Sequence, residues 1–168
     1  RRAEVALTSP GLVLSRVRGG AQATRVLLVS PRFPGNMWSY ERALELIGRK
    51  CPLPPLSLVT VAALLPQDWE FTLIDRNVRP ATEEEWDRTD IVLISAMTAQ
   101  REDFLAQIRE AKRRGKRVAV GGPYPTTLPD EVQVAGPDYL VLDEGEITIP
   151  SFLEALHLNL KACNALAD

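Results

Sequence analysis

The chain has 168 residues, with 20 basic and 22 acidic side chains and a formal net charge of -2. Hydrophobic residues make up 45% and charged residues 25%, which is typical of a globular domain that buries one core. The charge balance excludes a basic footprint for nucleic acid, and the apolar runs are too short to span a membrane. We therefore expect a cytoplasmic protein with no nucleic-acid partner and no membrane span.

The cysteines and the single histidine do not suggest a metal site. Cys51 and Cys163 belong to no CxxC pair or other ligand spacing, so two reduced thiols explain them better than a disulfide. His157 falls near the end of the last helical pattern, where its charge favours a helix C terminus. We predict no metal ligands.

The two ends of the chain differ from its middle. Residues 1–24 contain Arg, Ser and Gly with one acid, Glu4, and fit a transit-like peptide, an upstream extension or a cloning remnant. We expect weak order there, although "GLVLSRV" could add a short strand. Residues 25–157 are expected to form an α/β domain, and residues 158–168 a tail or the start of a linker.

Five short apolar runs predict strands at 25–30, 71–76, 90–95, 116–122 and 138–143. Several are apolar at successive positions, which favours a parallel sheet that is covered on both faces. Five βα units with right-handed crossovers predict an open, doubly wound, Rossmann-like or flavodoxin-like sheet with strand order 2-1-3-4-5.

Apolar stripes with a helical period lie between the strands, over residues 58–65, 104–111 and 149–160. Ser57 is a possible N-cap for the first stripe. A shorter helix is expected after Thr127, where "TLPD" has capping-box spacing. The acidic run "TEEEWD" at 82–87 could form a turn, but such runs are more often solvated.

A long insert at residues 31–55 follows the first predicted strand and contains the helical stretch "YERALELIGRK". Long ordered inserts in compact domains tend to be functional. Trp38 in this insert could shield a ligand or seal the insert against the sheet, and the second role is the slightly better interpretation.

Small and hydroxylated residues follow the predicted strands. Ligands of open α/β sheets lie beyond the carboxyl ends of the strands at the switch point, here between strands one and three. Gly121 and Gly122 would let the backbone approach a ligand closely. We expect a bulky residue at Gly122 to weaken ligand binding without unfolding the domain. Turn formation explains any one of these loops, but their coincidence at one edge favours a ligand site.

Common phosphate and catalytic motifs are missing. The sequence has no GxGxxG after strand one and no GxxxxGK[ST]. Strands one and three end in Ser30 and Ser95, which excludes a phosphoacceptor aspartate, and no nucleophile elbow is present. The strand-end carboxylates at 75, 143, 144 and 146 could serve acid/base chemistry or Mg²⁺, but helix capping is the preferred interpretation.

The stretch from Arg25 to His157 resembles the amino-terminal cobalamin-binding domain of cobalamin-dependent radical S-adenosylmethionine proteins, which at domain level includes relatives of the hopanoid methylases. The blocks that carry the resemblance are, in order, "WSYERALELIGRK", "PPLSLVTVAALLP", "LIDRNV", "ISAMTAQRE", "GGPYPTT" and "EITIPSFLEAL".

The resemblance implies that cobalamin is held at the strand ends, with its dimethylbenzimidazole tail beside the sheet. Ser95 and Thr98 would line the tail channel, and Met97 would lie near its opening. The Glu144 to Glu146 loop would close the far side. The implied cofactor-binding residues are Ser30, Ser95, Met97, Thr98, Gly121, Gly122, Pro123, Thr126, Glu144, Gly145 and Glu146.

Two departures from the family pattern are relevant. The DxHxxG of methionine-synthase-like cobalamin domains, whose histidine ligates cobalt, does not follow strand one, so bound cobalamin is expected base-off without a protein histidine, as in many radical relatives. No CxxxCxxC is present, so a [4Fe-4S] cluster and S-adenosylmethionine would belong only to a fuller protein, with a radical catalytic domain in cis. We expect no catalysis from this chain alone, and the alternative is a stand-alone doubly wound interaction domain that has lost its ligand.

Overall fold

In a computed structural model of the chain, the structure describes residues 23–35, 41–48 and 54–157. Five parallel strands form one sheet in the order β2-β1-β3-β4-β5, which confirms the predicted doubly wound topology. The strands are β1, Arg25–Ser30; β2, Glu70–Asp75; β3, Ile91–Ser95; β4, Arg117–Gly121; and β5, Tyr139–Leu140. The stretch "GLVLSRV", Trp38 and both cysteines lie outside the described residues.

Seven helices flank the sheet in the described ranges. They are α1, Glu41–Leu46; α2, Leu56–Leu64; α3, Glu83–Arg88; α4, Arg101–Arg113; α5, Pro123–Thr127; α6, Pro129–Val134; and α7, Gly145–His157. A 3-10 turn at Thr98–Gln100 precedes α4. None of these helices is long and apolar enough to cross a membrane.

The central strands bury side chains on both faces of the sheet. In β1, Leu27 and Val29 join a core with α3, α4, α5 and α6, whereas Val26 and Leu28 join a second core with α2 and α7. Both cores need apolar residues from the same strand, and this explains why the strand sequences are continuously apolar rather than alternating. The layer that contains α2 and α7 carries the cavity described below.

The last strand is much shorter than the predicted 138–143. The Val141 amide still donates to the Val120 carbonyl at 2.8 Å, but the chain then leaves the sheet. Asp143 has a φ of 62°, in the left-handed region, and this residue turns the chain toward α7.

The acidic run at residues 82–87 is the capping residue and most of α3, so the turn that the sequence allowed is a helix, and Glu83, Glu84 and Asp87 are exposed, as expected of a solvated face. Thr82 caps this helix: its Oγ1 accepts from the Glu85 amide at 3.2 Å, and the Glu85 carboxylate accepts from the Thr82 amide at 2.7 Å. Trp86 is only 4% exposed, and the Arg114 guanidinium lies 5.1 Å from the centre of its ring. The acids occupy the outer side of a helix whose inner side holds a core tryptophan.

Two predicted caps are also wrong. α2 begins one residue before Ser57, with Pro55 at its N-cap position, so Ser57 lies inside the helix. α6 begins after Leu128 with no side-chain cap. Thr127 belongs instead to α5, where its Oγ1 donates to the Pro123 carbonyl at 2.7 Å. The segment "GGPYPTT" after β4 is therefore largely helical, since proline is favoured in a first helical turn.

Candidate functional site

A cavity of about 270 Å³ lies between the carboxyl halves of β3 and β4 and the two helices α2 and α7. It is one strand away from the switch point between β1 and β3 at which the sequence places the ligand. The loop after β5 completes the wall with Val141 and Asp143.

The sheet wall of this cavity is polar at the edge and apolar further in. The register pairs Ser95 with Gly121 at the strand ends, and Leu93 with Ala119 two residues earlier. Side chains two residues apart share a face, and the two pairs are separated by about 7 Å along the strands. Leu93 and Ala119 belong to the core beneath α2 and α7. A group entering from the edge thus passes a hydroxyl and a glycine before it meets hydrocarbon.

The helix wall has the same gradient. Ser57 begins the wall on α2, and Val61 lies one turn further in; on α7, Gly145 and Ile149 are placed in the same way. Val61 Cγ2 would lie 3.6 Å from a Cβ on Gly145, which is an ordinary contact distance. Both helices start near the carboxyl edge and descend along the sheet, so together they form a slot with a polar mouth and an apolar interior.

Two serines face each other at the mouth of the slot. The hydroxyls of Ser57 and Ser95 lie 3.4 Å apart, and either can donate. Ser57 is exposed and Ser95 is partly exposed, so both can also bond a ligand. Ser57 was predicted only as a possible cap, because its position on α2 opposite the end of β3 depends on how the helix packs.

The glycines at the end of β4 permit close approach between parts of the protein itself. A Cβ on Gly122, whose φ is +96°, would lie 2.6 Å from Ser95 Oγ and 3.2 Å from the Ala96 backbone. A Cβ on Gly121 would lie 2.9 Å from the Val141 carbonyl oxygen. The expectation that a bulky residue at Gly122 would leave the fold intact stays a prediction, but the positive φ and the short distances to Ser95 and Ala96 indicate that such a residue also lowers the stability of the domain.

Tyr124 fixes the segment that follows these glycines. Its side chain is completely buried, its amide donates to the Ala96 carbonyl at 3.0 Å, and its ring packs edge-on against Phe104. Burial, together with the hydrogen bond to Glu131, raises the pKa of the Tyr124 hydroxyl. The start of α5 is thus anchored in the core opposite the slot, which holds Gly122 against Ser95.

Thr126 supports the rim of the slot without lining it. Its Oγ1 accepts from the Asp143 amide at 3.0 Å, and Asp143 has the left-handed φ described above. The hydrogen bond therefore holds the loop between β5 and α7 in the conformation that brings Asp143 and Glu146 to the cavity wall.

The structure brings together five of the eleven residues that the resemblance implies. Ser95, Gly121, Gly122, Gly145 and Glu146 all line the cavity. The other six lie elsewhere on the same edge of the sheet and do not line it: Ser30, Met97, Thr98, Pro123, Thr126 and Glu144. Ser30 is buried at the end of β1, and Met97 is 56% exposed above β3.

The carboxylates near the slot do not form a metal site. Across the described ranges, no group of three or more His, Cys, Asp or Glu side chains is close enough to hold a metal ion. Asp143, Glu144 and Glu146 are exposed, and Glu144 contributes its carbonyl, which accepts from the Thr148 amide and hydroxyl at 3.1 Å each. The lining of the cavity itself is suited to a flat, mainly apolar group with one polar end.

A comparison with protein-family models identifies a ligand-binding family over the region that contains the slot. The model for the B12 binding domain matches residues 46–153. This stretch contains α2, all strands after β1, and α7 up to Leu153, and therefore both walls of the slot.

Three relatives match 64–79% of the chain. An uncharacterized methyltransferase of Synechocystis sp. is 62% identical over 132 residues, which are 79% of this chain and 25% of that protein. The hopanoid C-2 methylase of Rhodopseudomonas palustris is 29% identical over 133 residues (79% and 24%). The bacteriochlorophyllide d C-12(1)-methyltransferase of Chlorobaculum tepidum is 28% identical over 108 residues (64% and 22%). The chain thus spans about a quarter of the relatives it matches, and no solved structure matches it.

Proposed function

Because the chain belongs to the B12-binding domain family, we propose that it binds cobalamin with the heterocycle of the nucleotide tail inside the slot between the sheet and the helices α2 and α7. The observation that carries this proposal is the graded slot itself, with serines at the mouth and Leu93, Ala119 and Ile149 further in.

The size and chemistry of the slot fit that part of the cofactor. Pockets that enclose a whole drug-sized ligand have about 300–1,000 Å³, so a cavity of about 270 Å³ can hold a bicyclic ring but not a corrin. The corrin would remain outside, beyond the strand ends. The apolar edge of dimethylbenzimidazole would meet Leu93 and Ala119, and Ser57 and Ser95 would pair with the polar groups of the nucleotide linkage.

The cofactor is proposed to be base-off without a histidine from this chain's first loop. The described part of that loop, Pro31–Gly35, contains no side chain that ligates cobalt strongly. A heterocycle placed in the slot is also withdrawn from the cobalt. When bound, cobalamin supplies methyl-transfer or electron-transfer chemistry at cobalt; the residues described here bind and orient the cofactor.

A larger enzyme is part of the proposal. We infer that the chain is the cobalamin module of a methyltransferase-like enzyme, with a radical S-adenosylmethionine domain in cis that carries a [4Fe-4S] cluster. The methyltransferase names of the relatives, their greater length and the sequence resemblance support this inference. The expected cytoplasmic location belongs to the same proposal, and no catalysis is expected from this chain alone.

The alternative, an interaction domain that has lost its ligand, explains the slot less well. A domain without a ligand gains stability by filling such a cavity, because unfilled apolar space costs packing energy. Here the start of α7 keeps glycine at the slot wall, although a Cβ on Gly145 would make only ordinary contacts with Val61 and Ile149.

The test compares cobalamin with cobinamide, which has the corrin but lacks the nucleotide tail. The 168-residue chain should retain hydroxocobalamin through desalting, with a base-off absorption spectrum, and should bind cobinamide at least about tenfold more weakly, because the buried ring contributes apolar area. Absence of retained corrin would refute the function, and a histidine-ligated spectrum would refute the base-off proposal.

A matched pair of variants tests whether the ring of the nucleotide tail lies in the slot. Val61→Phe should fill the interior and weaken cobalamin binding, while cobinamide binding stays unchanged. Val59→Phe, at a 47% exposed position on the same helix that does not line the cavity, is the control. Equal cobalamin affinity for the two variants would mean that the tail lies somewhere else.

A further inference from the structure

Two side chains hold the start of the loop after β1 by hydrogen bonds to a single peptide group. The Gln100 side-chain amide donates to the Pro31 carbonyl, and the Asp103 carboxylate accepts from the Arg32 amide at 2.7 Å. The Pro31 carbonyl and the Arg32 amide belong to the same planar peptide group. Gln100 and Asp103 are three residues apart at the start of α4, so they lie side by side on the helix. We call this pair the Gln100–Asp103 clamp.

Both members of the clamp are themselves fixed. Gln100 is 5% exposed, and its side-chain oxygen accepts from the Met97 amide at 2.9 Å. Asp103 also accepts two hydrogen bonds from the Arg76 guanidinium, at 2.7 and 2.8 Å. Side-chain exposures of 23% for Arg76 and 18% for Asp103 make this a largely shielded ion pair. Charge-assisted, bidentate pairs of this kind are the more rigid ones.

The clamp joins the loops of three neighbouring strands. Met97 follows β3, Arg76 follows β2 and Arg32 follows β1, and all three loops lie at the carboxyl edge of the sheet. A further hydrogen bond, from the Phe33 amide to Asn77 Oδ1 at 2.9 Å, extends the attachment along the first loop.

Pro31 is buried, but hydrophobic burial does not explain the attachment of the residues that follow it. Residues 32–35 are exposed, so water could satisfy their backbone groups if the loop were free. A set of shielded polar contacts that orders an exposed segment beside a ligand site is typical of preorganisation.

We propose that Gln100 and Asp103 are positioning residues that preset residues 31–35, directly after β1, for the corrin. This inference rests on the proposed function, in which the corrin lies beyond the strand ends. The clamp acts on the β1 side of the edge, whereas the tail slot acts on the β3 and β4 side. The two sites together would hold the cofactor at both ends.

The test replaces Asp103 with alanine and uses its neighbour as the control. Glu102→Ala removes a carboxylate from the same first turn of α4, but Glu102 is exposed and has no hydrogen bond to the loop among the described contacts. Asp103→Ala should release hydroxocobalamin about tenfold faster than the wild type. Without the clamp, the free-energy cost of ordering the loop at binding is subtracted from the affinity, and the bound state is less stable. Glu102→Ala should release it at the wild-type rate.

Two further measurements distinguish a positioning role of Gln100 and Asp103 from a general effect on stability: the absorption spectrum of the bound cofactor, and the recovery of slow release in a conservative variant. The absorption spectrum of bound hydroxocobalamin should shift in Asp103→Ala and Gln100→Met, measured well below the unfolding temperature of each variant. Asp103→Asn keeps an acceptor for the Arg32 amide and should restore part of the slow release. Wild-type release rates and spectra in both clamp variants would overturn the inference while leaving cobalamin binding intact. Failure of the wild-type chain to bind would refute the proposed function instead.

Discussion

The contact between Gly122 and Ser95 makes a quantitative prediction about stability. In Gly122→Ala the new methyl group would lie 2.6 Å from Ser95 Oγ and 3.2 Å from the backbone of Ala96. The backbone there has φ 96° and ψ -176°, a region that is almost restricted to glycine and costs other residues about 1–3 kcal/mol. Overpacking against fixed neighbours adds about 1–3 kcal/mol. We expect the free energy of unfolding to fall by about 2–6 kcal/mol.

Gly136→Ala provides the matched control. Gly136 also has a positive φ, of 76°, but a Cβ there would meet no atom within 4 Å. Only the left-handed strain remains, partly offset by the lower entropy of the unfolded alanine chain, and the expected loss is about 1 kcal/mol. Urea unfolding of the ligand-free chain, with equal m-values for the variants, measures both losses.

A third variant separates crowding from strain. Ser95→Ala removes the oxygen that the new methyl group would meet, so in the Gly122→Ala background it should recover part of the lost stability. If Gly122→Ala and Gly136→Ala cost the same, or if Ser95→Ala recovers nothing, the close packing of β4 against β3 at the slot mouth is refuted. Because Ser95 must move, Gly122→Ala should also weaken cobalamin retention, which makes Gly122 a poor probe of ligand contacts alone.

Two further predictions concern α3. Hydrogen bonds from the Arg79 guanidinium and the Thr82 amide lower the pKa of Glu85 from 4.5 to about 2, so their stabilising effect is present above pH 4.5 and is lost as the pH falls through 2. Glu85→Gln should flatten the decline of unfolding free energy between those pH values, measured by urea unfolding at each pH with Glu84→Gln as the control; an unchanged slope would contradict the pairing. Trp86→Ala should cost about 3–5 kcal/mol of unfolding free energy, since the side chain is buried, and a loss below about 1 kcal/mol in the same assay would contradict its place in the core.

The sheet could be predicted from the sequence because each central strand leaves a complete local signal. Strands β1 and β3 are runs of β-branched and aliphatic residues between polar turns, and such runs indicate strands with two covered faces. Right-handed crossovers allow only a few strand orders, and the flavodoxin-like order 2-1-3-4-5 is one of the two common ones. The ends of the elements were less predictable. β5 pairs over only two residues, because the chain turns at Asp143, whose left-handed φ has no clear signal in the local sequence.

The walls of the slot were only partly predictable. Glycine and serine at the ends of β3 and β4 are visible as departures from an apolar strand, and Ser95, Gly121 and Gly122 do line the cavity. The α2 wall gave no such signal, because Ser57 and Val61 are ordinary residues in a helical pattern. Their role depends on where the helix lies over the sheet, which is decided by tertiary packing.

The hydrogen bonds at the carboxyl edge of the sheet join residues that are far apart in sequence, and for this reason the sequence alone does not predict them. Gln100 reaches back 69 residues to Pro31, Asp103 reaches back 71 residues to Arg32, and Ser57 meets Ser95 across 38 residues. In a parallel sheet all strand ends meet at one edge, so contacts that are remote in sequence become neighbours without any local pattern. The slot lies between α2, α7 and the face formed by β3 and β4, whereas the clamp lies beside the ends of β1 and β2, and the end of β3 contributes to both. Ser95 ends β3, and only Ala96 separates it from Met97, so we expect a displacement at one end of the proposed cofactor-binding edge to shift the other end through this short segment.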